Sequence, residues 1–94
     1  MTIERDQDSR IWKYALPMSD VAIVDMPCGA EVLCVQMQRG EPYLWCKCSI
    51  HTKKEARTFF VVGTGHPMPC DAGRYVGTFQ FHESVLVFPV FEGK

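Results

Sequence analysis

The sequence predicts an all-β fold, a small antiparallel sheet, sandwich or barrel of six to seven short strands with little helix. Three observations lead there. Short runs rich in Val, Ile, Phe, Tyr and Trp recur along the 94 residues, separated by clusters of Pro, Gly, Asp and Ser, which is the pattern of strands and turns. No apolar stripe of 3.6-residue period persists beyond about two turns, which leaves little room for helix. The composition, 47% hydrophobic and 12% aromatic, is enough to bury a core, and the length fits one domain.

Taken in order, residues 1–9, MTIERDQDS, alternate charges without an apolar face and are expected to form a flexible N-terminal segment. A single β-rich domain is expected over residues 10–94. Its strands are predicted at 10–16, 20–26, 31–38, 42–50, 57–62, 74–81 and 84–91. Gly40 in QRGEP marks a hairpin turn, because glycine takes a positive φ freely between two alternating runs. Before that turn, Leu33, Val35 and Met37 are expected on one face, with Cys34, Gln36 and Gln38 on the other. Pro89 cannot donate to a ladder, so the last run is expected to be an edge strand or to bulge there, and an edge offers another copy a route to a homo-oligomer.

The stretch LWCKCSIH, residues 44–51, looks like a metal site and resists that reading. Zinc knuckles space paired cysteines by two to four residues, whereas Cys46 and Cys48 have one between them. In a strand, Leu44, Cys46, Cys48 and Ile50 share one face, Tyr43, Trp45, Lys47 and Ser49 the other, and His51 has the opposite parity from the thiols. Free cysteine packs as a small hydrophobe, so these two are expected in the core. A metal site would have to recruit Cys70 or His66 from elsewhere; no metal and no cofactor is expected.

Charge and composition remove several function classes. Ten Lys plus Arg against eleven Asp plus Glu give a formal charge of -1, so no global basic field draws nucleic acid nonspecifically. No run approaches the roughly 18–20 apolar residues of a membrane helix, and MTIERDQDSR is too polar for the apolar segment of a signal peptide. Five cysteines, an odd number, suit reduced thiols in a cytoplasm better than a disulfide framework. Ser19, Asp20 and Ser84 lack a nucleophile-elbow context and the three histidines form no triad pattern, so the chain is not expected to be an enzyme.

The stretch with most promise for binding is RTFFVVGTGHPMP, residues 57–69. A glycine turn after a strand can present successive N–H groups to an anion. It is neither a P-loop nor a dinucleotide fingerprint, since no helix begins among His66, Pro67 and Pro69. Gly63, Thr64, Gly65 and His66 are the candidate ligand or partner loop. Arg57 and Arg74 are supporting cations, and Trp12 and Trp45, with Tyr14 and Tyr43, are aromatic groups suited to packing or to stacking on a partner.

The segments IWKYALP at 11–17, VDMPCGAEVLCVQMQRGEPYLW at 24–45, RTFFVVGTGHP at 57–67, YVGTFQ at 75–80 and LVFPVFE at 86–92 resemble a family of small proteins encoded by bacteriophages and prophages. The resemblance implies an accessory protein acting in the cytoplasm of a bacterial host, and it carries no catalytic residues with it. It implies apolar residues at the positions of Cys46 and Cys48 and a histidine at that of Pro89, so here the chain departs from its pattern. The expected function is non-enzymatic binding that inhibits or sequesters a host component, either a protein of a defence complex or a small nucleotide signal. Two alternatives stand beside it: a structural protein forming a homo-oligomer or virion-associated assembly, and a small metal-dependent enzyme.

Overall fold

A computed structural model of the chain describes residues 2–81 and 85–94. It holds seven strands: β1 (Ser9–Ala15), β2 (Val21–Pro27), β3 (Glu31–Gln38), β4 (Glu41–Ser49), β5 (Lys54–Val61), β6 (Ala72–Phe81) and β7 (Leu86–Gly93). They form two antiparallel sheets, one ordered β1-β4-β3 and the other β2-β5-β7-β6. The fold is an all-β sandwich, with no helix among the described residues and so none long and apolar enough to cross a membrane.

Alternation selects the core. In β2, Ala22, Val24 and Met26 are buried while Val21, Ile23 and Asp25 face out. In β4, Leu44, Cys46 and Cys48 are buried, as the strand parity requires. They meet Phe59 and Val61 of β5, Val90 of β7 and Phe79 of β6 in one cluster. Strand β4 ends at Ser49, so Ile50, expected to continue the inward face, lies in the following turn and is exposed.

The hairpin at Gly40 is tighter than glycine alone implies. Gln38 pairs with Glu41, which leaves a two-residue loop, and both loop residues have positive φ, 52° at Arg39 and 80° at Gly40. That is the type I′ geometry whose twist matches the strands it joins. Arginine is a poor occupant of this region because its Cβ crowds the backbone. Arg39→Asn is therefore expected to stabilise the fold by about 0.5–1 kcal/mol, read as a rise of a few degrees in a thermal melt.

Two expectations are corrected. The alternation of β3 is broken, because a bulge between Val32 and Cys34 turns both Val32 and Val35 inward and leaves Leu33 exposed. The last strand is not an edge: β7 lies between β5 and β6. Pro89 is tolerated there because its ladder with β5 ends one residue away at the Val61–Val90 pair. Its N and C=O point to the same neighbour, and there the carbonyl alone suffices, accepting the Val62 N–H at 2.9 Å. Residue 84, where that strand was expected to begin, lies outside the described residues. At the start of β1, Ser9 donates to Asp6 through both its N–H and its hydroxyl, and the Asp8 carbonyl accepts the Ile50 N–H.

The sandwich closes along one side only. At the β3–β6 side the Arg74 guanidinium donates to the Val32 carbonyl freed by the bulge. Nearby, Gly77 lies so close to β3 that a Cβ on it would come within 3.0 Å of Val35 Cγ1. On the other side β1 and β2 share no ladder, and each keeps a free edge.

Candidate functional site

The segment after β5 folds into a tight turn. Val62 is held by Pro89, and the His66 N–H donates to the Gly63 carbonyl at 2.9 Å. Gly65 sits third in this four-residue turn with φ 87°, a position where glycine is the natural occupant. Thr64 Oγ1 donates to the Val87 carbonyl at 3.1 Å and ties the turn to β7. The His66 ring lies over Gly63, where an added Cβ would stand 3.2 Å from its Cε1 and Nδ1. Gly63, Thr64, Gly65 and His66 therefore form one ordered unit, exposed at all but the half-buried Gly63.

His66 divides two shallow clefts. The first, about 280 Å³, is lined by Asp20, Val21, Phe60, Val62 and Pro67. The second, about 200 Å³, is lined by Thr64, Val85, Leu86 and Phe88. Among the described residues, Asp20 is the one carboxylate lining either cleft, and no Lys or Arg lines them. The His66 backbone N–H is already used within the turn, so no row of successive amides is left free here among the described residues to receive a phosphate.

The four supporting residues stand apart from the turn. Arg57 and Arg74 are not on neighbouring strands, because β7 separates β5 from β6. Arg57 faces the inside of the sandwich: its Nε meets Glu92 Oε2 at 2.6 Å, and its Nη1 donates to the Ala30 carbonyl at 2.9 Å. Donating this hydrogen bond to the Glu92 carboxylate raises the guanidinium pKa further. Arg74 is the stitch to β3 described above. Trp45 lies on the outer face of β4 with Lys13 Nζ 5.9 Å from its ring and 4.7 Å from that of Tyr43, a cation–π arrangement. Trp12 lines a third cleft, at the open β1–β2 side, with Arg10, Tyr14 and Lys54. Sequence reasoning passed over Arg10 and Lys54; the signal for Arg10 was its shared parity with Trp12 and Tyr14.

The thiols do not converge. Cys46 and Cys48 are buried, Cys34 is half-buried, and Cys28 and Cys70 are exposed. His51 lies outside, its Nε2 2.9 Å from Asp8 Oδ1. Among the described residues, no group of three His, Cys, Asp or Glu side chains is placed to hold a metal ion. Burial, with the neighbouring Cys48 sulfur second, pushes the Cys46 thiol up to about 11.

Since the thiolate is the reactive form, Ellman's reagent at pH 8 is expected to modify Cys28 and Cys70 first, Cys34 slowly, and Cys46 and Cys48 only on unfolding. The raised pKa of Cys46 also has a sign. The folded state holds the proton that the unfolded chain gives up near pH 9.0. Its contribution is whole below pH 9 and is lost as pH rises toward 11, by about 2–3 kcal/mol. Urea melts across that window check the loss, which Cys46→Ala should abolish.

The profile of a family described as Domain of unknown function (DUF7352) matches residues 7–94. No curated protein and no solved structure matches the chain.

Proposed function

The chain belongs to the DUF7352 family, and we propose that this member is a non-enzymatic binding protein that sequesters a protein of a bacterial host, with the turn Gly63–His66 as its contact surface. The phage-type context comes from the sequence resemblance alone. The observation that carries the reading is the pair of apolar clefts on either side of His66. Around them Met18, Val21, Met68, Val85 and Leu86 are exposed, and clustered exposed apolar side chains mark interaction surfaces more often than bare solvent faces.

A protein partner suits this surface better than a nucleotide signal. A phosphate placed beside His66 would meet the Asp20 carboxylate and, among the described residues, no Lys or Arg in the lining, whereas a projecting apolar side chain would fill either cleft. The turn is also preorganised by its own hydrogen bonds, so little conformational entropy is lost when a partner docks.

The test compares the chain with the triple variant Thr64→Ala, His66→Ala and Leu86→Asp in affinity capture from bacterial lysate. All three side chains are exposed, so the fold should survive, as a thermal melt can verify. Partner recovery is expected to fall at least about tenfold, the equivalent of roughly 1.4 kcal/mol. Recovery equal to that of the parent chain removes the site assignment.

A further inference from the structure

The open side of the sandwich carries a site of different chemistry. Arg10, Trp12 and Tyr14 of β1 stand opposite Cys48, Cys46 and Leu44 of β4. Those three partners are buried, so by register the three β1 side chains project on the core side of their sheet. Sheet closure at β3–β6 leaves nothing paired beyond β1, and an inward-facing tryptophan is consequently 57% exposed. The uncovered space is a cleft of about 320 Å³ lined by Arg10, Trp12 and Tyr14 of β1, by Ile50 and by Lys54 of β5.

The charges of this cleft are one-sided. Arg10 and Lys54 are its charged lining residues, and among the described residues no carboxylate joins them. Arg10 Nη1 donates only to the carbonyls of Gln7 and Ser9, and among the described residues neither cation has a salt bridge. The nearby acids are committed elsewhere: Asp6 accepts from Ser9 and Asp8, Asp8 pairs with His51, and Glu55 accepts the Gly29 N–H and pairs with Arg57. A flat indole face flanked by two cations that make no salt bridge is the complement of a flat ring joined to an anionic group.

We propose that this cleft binds a nucleoside monophosphate, with the base against the Trp12 indole and the phosphate between Arg10 and Lys54. Aromatic side chains accept any base through stacking, so the site is selective for the nucleotide class over its sequence identity. Its volume lies near the roughly 300 Å³ lower bound of small-molecule sites, which suits one nucleotide unit rather than two. It shares no residue with the His66 clefts and stands or falls independently of the partner surface proposed there.

The experiment titrates the full chain with AMP while recording amide chemical shifts, with Trp12 fluorescence followed in Trp45→Phe so that one indole reports. Saturable shifts are expected at 10–14 and 49–54, with fluorescence quenching and a dissociation constant at or below about 1 mM. Adenosine and inorganic phosphate alone should each bind at least about tenfold more weakly, and affinity should fall with added salt. Trp12→Ala and the pair Arg10→Gln with Lys54→Gln should each weaken AMP at least about tenfold. All three positions are exposed, so the dispersion of the amide spectrum should persist in these variants. The proposal is overturned by an absence of shifts at about 10 mM AMP, by shifts confined to 63–66, by undiminished binding in Trp12→Ala, or by binding of the acidic aromatic peptide Asp-Phe-Asp in place of AMP.

Discussion

Phe59→Ala is expected to destabilise the fold by about 3–5 kcal/mol. Phe59 is fully buried and the largest of the side chains with no solvent contact, and it sits on β5, the strand that pairs with both β2 and β7. The position pairs with Ala22 on one side and Glu92 on the other, so neither ladder partner brings a large apolar side chain into the space left behind. The loss is then the transfer free energy of the ring plus the cavity. A domain of 94 residues has roughly 5–14 kcal/mol in total, so the variant should unfold at a much lower urea midpoint, with an unchanged slope. A destabilisation below about 1 kcal/mol would mean that the two sheets close over the site, and that the core is looser than its burial implies.

Arg57→Ala should lower stability by about 3 kcal/mol, from a different physical source. The side chains of Arg57 and Glu92 are only 16% and 18% exposed, and the guanidinium also serves the Ala30 carbonyl. Removing it strands a carboxylate inside the end of the sandwich without a counter-charge. Glu92→Gln should cost less, about 1–2 kcal/mol, because the amide oxygen still accepts a hydrogen bond. The decisive variant is the double one, Arg57→Met with Glu92→Leu. Buried ion pairs are often replaceable by apolar pairs of similar volume, so this chain should be more stable than Arg57→Ala, by urea unfolding at pH 7. Equal or greater loss would show that the bond to Ala30, not the ion pair, is what Arg57 contributes.

Much of this architecture is legible in the residues, and the failures have identifiable causes. The strands follow from local alternation, and β4 in particular shows its buried face in the spacing of Leu44, Cys46 and Cys48. The bulge at Leu33 escaped because Val32, Leu33, Cys34 and Val35 are all apolar enough to satisfy either register. The interior place of β7 escaped because a proline is excluded only where its missing N–H faces a paired neighbour, and which neighbour it faces depends on strands distant in sequence. Arg57 was legible in part: it shares parity with Phe59 and Val61, which places it inward. Its partner Glu92 is 35 residues away, too far for any local pattern to announce. Of the candidate site, the turn at 63–66 was readable from its glycines, but the separation of Trp12 from it depends on how the sheets close.

That closure turns on Gly77. With no side chain there, β6 and β3 approach until Val35 would touch the missing Cβ. Two sheets pressed together along one border are levered apart along the opposite one, so the residue acts as a fulcrum for a gap it never touches. A methyl group at 77 should push on the near border and narrow the far one, where Trp12 stands. On that expectation the width of the cleft answers to a position across the molecule, through an atom the chain leaves out.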